Sequence, residues 1–125
     1  MKIIDLLLNA GTGALTFYVM PPCRGTVKSL KAVFGTAVAV GDTVDVQRSS
    51  TSVNLATTTV TTVGVPIEGT PDTTNKGLIF DPDSDTAANK VLKIVVSALE
   101  SANTLTHIMI EFDDSAYVAQ AASEA

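Results

Sequence analysis

From residue 15 to residue 112 the chain repeats one pattern: a short run rich in Val, Thr, Ile and Leu, then a turn signal, then another such run. Runs of this kind put successive side chains on opposite faces of a strand, and their spacing is too short for helices. Leu15, Phe17 and Val19 alternate with Thr16, Tyr18 and Met20. Pro21-Pro22 closes that run, because proline cannot donate to a ladder. Thr26 to Phe34 reads as a second strand. Val40-Gly41-Asp42 is a turn before Thr43 to Arg48, with Val44 and Val46 on one face. Ser49 and Ser50 make another turn. Thr51 to Val65 is dominated by Thr and Val, which suit a pleated, half-buried surface. It is too long for one ordinary strand, so a bulge or break is expected near Ala56.

Pro66 to Asn89 is the most loop-like stretch, with Leu78-Ile79-Phe80 as an apolar patch inside it. Two runs close the domain, Lys90 to Ala98 and Thr104 to Phe112. Leu92, Ile94 and Val96 share one face of the first, and Ile108, Ile110 and Phe112 one face of the second. The turn signal between them predicts a hairpin. Together the runs predict an all-β domain, an antiparallel β-sandwich or jelly-roll-like barrel. It spans residues 14–112. Residues 1–13 read as an N-terminal arm jointed at Gly11-Thr12-Gly13, which either packs on the domain or reaches a neighbour. Residues 113–125 read as a C-terminal tail, where Asp114-Ser115 suits the start of a short helix.

A chain of 125 residues fits one domain with a core of its own. Its charged share is only 17%, below the roughly 25% of an average soluble domain. A sparsely charged surface points to cover by a partner in the working state. Eight basic and thirteen acidic residues give a net charge of −5. The basic residues are scattered, so the concentrated positive face that direct nucleic-acid binding needs is not expected. The apolar run at Ile3 to Leu8 is split by Asp5 and is short for a signal core, and no run approaches a spanning helix, so no membrane partner is expected.

Chemistry finds little to work with. His107 is the only histidine and lies within a predicted strand; a surface or interface role suits it better than catalysis. Cys23 is the only cysteine, which excludes an internal disulfide and a cysteine-based zinc site. It is either a reactive thiol activated by Arg24 or, the better supplied reading, a packed filler. Asp81, Asp83 and Asp85 have the alternate spacing that opens a calcium loop. The pattern then fails, with Thr86 where the turn glycine belongs and Leu92 where the bidentate glutamate belongs. No phosphate cradle occurs, since Gly11-Thr12-Gly13 precedes a strand. The chain is therefore expected to be a non-enzyme with no cofactor and no metal.

Pro21-Pro22-Cys23-Arg24-Gly25-Thr26-Val27-Lys28-Ser29-Leu30 leads from a proline turn through glycine into a strand. Gly41-Asp42-Thr43-Val44-Asp45-Val46 follows, and Val91 to Val96 with Thr104 to Phe112 ends the domain. Over residues 14–112 this succession resembles the capsid decoration, or cement, proteins of tailed bacteriophages. The loop from Pro66 to Asn89 and the Ala-rich tail depart from the pattern. The resemblance implies a structural virion protein on the capsid exterior, assembled in the host cytoplasm. It also implies binding to the major capsid protein, often as a homotrimer, and sometimes through an N-terminal arm. Ile3, Ile4, Leu6, Leu7 and Leu8 of the arm and Pro21, Pro22 and Arg24 of the turn are the expected capsid contacts. Another virion subunit, such as a head fibre base or tail component, is an alternative. A carbohydrate-binding sandwich is a further one, poorly supplied with aromatic rings because Trp is absent.

Overall fold

The computed structural model describes residues 2–10, 14–35, 38–59, 64–97 and 104–114. They form nine strands: β1 (Lys2–Ala10), β2 (Leu15–Val19), β3 (Thr26–Phe34), β4 (Thr43–Arg48), β5 (Thr51–Thr57), β6 (Ile67–Glu68), β7 (Thr70–Pro71), β8 (Leu92–Val96) and β9 (Thr104–Asp113). One turn of 3₁₀ helix at Ala87–Lys90 precedes β8 and delays its start to Leu92.

The strands make two antiparallel sheets, in the order β1-β9-β3-β6 and β2-β8-β4-β5-β7. The sheets pack face to face as a β-sandwich, with β3 crossing over β5. Strands β1 to β4 fall alternately in the two sheets, as do β8 and β9. This is the winding of a double Greek key, the jelly roll, with the two-residue β7 added at one edge.

That winding corrects one expectation. β8 and β9 are not a hairpin, because they lie in opposite sheets. β8 is flanked by β2 and β4, and β9 by β1 and β3, so neither has an edge to offer the other. Each lies inside its sheet and turns its apolar row into the shared core. A sharp turn between two apolar strands serves an arch between sheets as well as a hairpin. The hairpin with a two-residue turn is β4–β5, where Ser49 takes φ 58°.

The core is built from Leu30, Val44, Val46, Val53, Phe80, Leu92, Ile94, Val96, Ile108, Ile110 and Phe112, all fully buried. The rings of Phe80 and Phe112 meet at a tilted angle with centroids 6.4 Å apart. Two bulges keep the strands in phase with it. In β3 the register with β9 shifts between Val27 and Ser29, so the core row passes from Val27 to Leu30, Ala32 and Phe34, and Lys28 turns to solvent. In β5 the shift sets both Val53 and Asn54 inward, followed by Ala56. The irregularity expected near Ala56 therefore lies at Val53, and β5 ends at Thr57.

The segment read as an arm packs on the domain. Residues 2–10 are β1, paired with β9 in unbroken register from Lys2↔Phe112 to Ala10↔Thr104. Of the two alternatives for this segment, residues 2–10 take the first and pack on the domain as an edge strand. Alternation explains the docking: Ile4 faces the core and is buried, and Leu6 is half-buried against it. The expected start of a tail helix at Asp114-Ser115 lies, beyond Asp114, outside the described residues.

Candidate interaction surface

Alternation sends Ile3, Asp5 and Leu7 of β1 and His107, Met109 and Glu111 of β9 to the outside of the first sheet. Cross-strand register arranges them in rows. Leu7, His107 and Val33 form one row; Asp5, Met109 and Lys31 the next, continued by Glu68 on β6; Ile3, Glu111 and Ser29 the third. Ile3 is 58% and Leu7 73% exposed, high values for large aliphatic side chains. Beside them Val33 and Met109 are half-buried, and with Lys31, Pro66 and His107 they line a shallow depression. The imidazole Nε2 of His107 lies 3.3 Å from Oδ1 of Asp5, linking β9 to β1 on this face.

The outer face of the second sheet mixes exposed Tyr18 and Leu55 with polar residues. Asp45 accepts hydrogen bonds from Gln47 Nε2 at 2.7 Å and from Ser52 Oγ at 2.6 Å. Tyr18 is exposed there, at the rim of a groove formed with Ser49, Ala87, Ala88, Val91 and Lys93.

The expected contact residues divide between roles. Ile3 and Leu7 are presented outward, whereas Ile4 is core and Leu6 half-buried. Leu8 has its backbone opposite Thr106, and its side chain is outside the described set. In the turn, Pro21 is buried and Pro22 exposed. Arg24 is half-buried and donates through Nη1 to Oδ2 of Asp81 at 3.1 Å. Gly25 and Phe80 exchange backbone hydrogen bonds of 2.9 and 2.8 Å, which fasten the turn to the acidic loop. Sequence reasoning overlooked Val33, Met109 and Pro66 on the outer face. Their signal was the odd-residue alternation of β3 and β9, hidden because both faces of these strands carry apolar residues.

Asp81, Asp83 and Asp85 do not converge. Asp81 Oδ2 meets Arg24, and its Oδ1 accepts the backbone N–H of Asp83 at 2.9 Å. No group of three metal-ligating side chains occurs among the described residues. Cys23 is half-buried, and burial raises its thiol above the ordinary value. The negative charge of Asp114 adds to the rise, and Lys2 opposes it. A neighbouring Arg24 therefore does not make it a ready thiolate. The Thr26↔Asp113 and Lys2↔Phe112 pairings set the end of the Pro21–Arg24 turn near the Lys2 end of β1.

Comparison with known proteins returned no matching family model, no matching curated protein and no matching solved structure.

Proposed function

We propose that this chain is a non-enzymatic virion subunit that binds the outside of a phage shell, through the major capsid protein, and stabilises it. The observation that carries this reading is the outer face of the first sheet, where Ile3 and Leu7 stand exposed beside half-buried Val33 and Met109. Two large aliphatic side chains this exposed on one sheet face, set among Asp5, Lys31 and Glu111, suit a surface that a partner covers. The low charge of the chain and its resemblance to decoration proteins over residues 14–112 support the same reading. The jelly roll agrees with it, since viral coat domains use that architecture, though a fold alone assigns no function.

The test is co-sedimentation of the purified protein with shells assembled from the major capsid protein of the same virus. Saturable binding is expected, weakened at least about tenfold by Ile3→Ser, since truncating a buried aliphatic contact removes roughly that much affinity. Absence of binding to both unexpanded and expanded shells would falsify the reading. Binding by Ile3→Ser equal to that of the parent would move the contact to another face.

One observation favours a second reading. Tyr18 is 67% exposed beside a groove, a place where a sugar ring can stack. Lectins share the jelly roll. A single ring makes this the weaker case, and a glycan array on which Tyr18→Ala abolishes the signal would promote it.

A further inference from the structure

A sandwich has four lateral edges, and this one protects three of them. β6 and β7 have two residues each, with Pro66 just before β6 and Pro71 inside β7. β2 has five residues and runs into Met20-Pro21-Pro22. Short strands and prolines are the usual means of stopping an edge from accepting another strand. β1 has neither. It runs for nine residues with no proline, no glycine and no bulge against β9, and β9 is its partner on one side. On the other side, among the described residues, about 30 Å of ladder groups have no strand beside them.

We infer that the free edge of β1 pairs antiparallel with β1 of a second copy of this chain, about a two-fold axis at Leu6. The inference is independent of shell binding, which uses the face of this sheet rather than its edge. Length selects the occupant: β1 has nine residues, and the other described edge strands have five, two and two. The ring of three implied by the resemblance needs β1 to pair with a different edge, and none of matching length is present among the described strands. A two-fold contact brings like to like and closes on itself.

Side-chain parity then selects the register. To continue the same two faces, residues opposite each other must both be odd or both be even. Centring on Leu6 satisfies this and aligns the whole strand, Lys2 opposite Ala10 and Asp5 opposite Leu7 of the second copy. Centring on Asp5 would set two like charges directly opposite, which is destabilising, and would shorten the overlap to residues 2–8. Centring on Leu7 would shorten it to residues 4–10. The full register also sets half-buried Leu6 against its own copy, on the core side of the enlarged sheet. The result is one eight-stranded sheet, β6-β3-β9-β1 joined to its symmetry mate, carrying two sets of Ile3 and Leu7 on one outer face.

The experiment is light scattering after size exclusion on the purified full chain and two variants. The parent is expected at about 26 kDa, twice the 12.9 kDa chain. Leu7→Asp sits at an exposed position and leaves the fold intact by circular dichroism. It places a carboxylate opposite Asp5 of the second copy at two symmetric points, and the dimer is expected to weaken at least about tenfold. Adding Asp5→Lys to Leu7→Asp converts both repulsions into opposite-charge pairs and is expected to restore the dimer. A parent mass of one chain, or of three, overturns the inference. A Leu7→Asp dimer as tight as the parent, or a double variant no tighter than Leu7→Asp, overturns it too.

Discussion

The side-chain amide of Asn54 lies over Gly69, and a β-carbon at residue 69 would collide with its oxygen and also press on Leu30. Gly69 joins β6 to β7, and its N–H donates to the carbonyl of Leu30 at 2.7 Å. Both strands reach their sheets because the chain passes this close to the bulged β5. Gly69→Ala is expected to lower stability by about 1–3 kcal/mol through overpacking. Gly77→Ala meets nothing within 4 Å and is the control, expected within about 0.5 kcal/mol of the parent. Urea unfolding of the pair checks this, and equal effects would refute the close approach.

The Arg24–Asp81 ion pair joins positions fifty-seven residues apart, with side chains 23% and 17% exposed. A double-mutant cycle with Arg24→Ala and Asp81→Ala is expected to give a coupling of about 1 kcal/mol, the upper end for pairs that water still reaches. Coupling near zero would mean that the Gly25–Phe80 backbone bonds hold this corner alone.

Burial favours the neutral thiol of Cys23 in the folded chain, with Asp114 acting in the same direction. A group whose folded value is raised contributes stability below its unfolded value, about 8.5, and loses that contribution as pH rises through the folded value. Alkylation by a small reagent, which requires the thiolate, should therefore show an inflection above that of free cysteine. Asp114→Asn should move it downward. An inflection below that of free cysteine would refute the assigned environment.

Removing residues 1–10 takes away β1 and with it the burial of Ile4 and part of Leu6. Full burial of one such side chain contributes about 1.5–3 kcal/mol, so the truncated chain is expected to lose about 3 kcal/mol or more. Denaturant midpoints would measure the loss. Unchanged stability would return this segment to the status of a detachable arm.

The strands themselves were legible. Thr26–Phe34 and Thr43–Arg48 match their predicted bounds, because turn residues flank uninterrupted alternation. Their partners were not. Apolar rows such as Leu92-Ile94-Val96 and Ile108-Ile110-Phe112 report that a strand faces a core, and say nothing about which sheet it joins. β1 was hidden for a related reason: Asp5 interrupts its apolar run, yet as an outward residue on a strand it breaks no alternation. Of the interaction surface, Ile3 and Leu7 were read from composition. Arg24 was expected among the contacts from its place in the Pro21–Arg24 turn, and its Asp81 partner lies too far along the chain for local pattern to reveal.

Among the described strands, β1 pairs with β9 alone, so β1 waits through the synthesis of about a hundred residues for its partner. Until Thr104 to Asp113 has emerged, Lys-Ile-Ile-Asp-Leu-Leu-Leu-Asn-Ala has no ladder to join and remains open to neighbouring nascent chains. Contacts of such long sequence separation form late, and exposed apolar strands aggregate in the interval. Synthesis thus exposes this strand to its own neighbours before the sandwich that shields it exists.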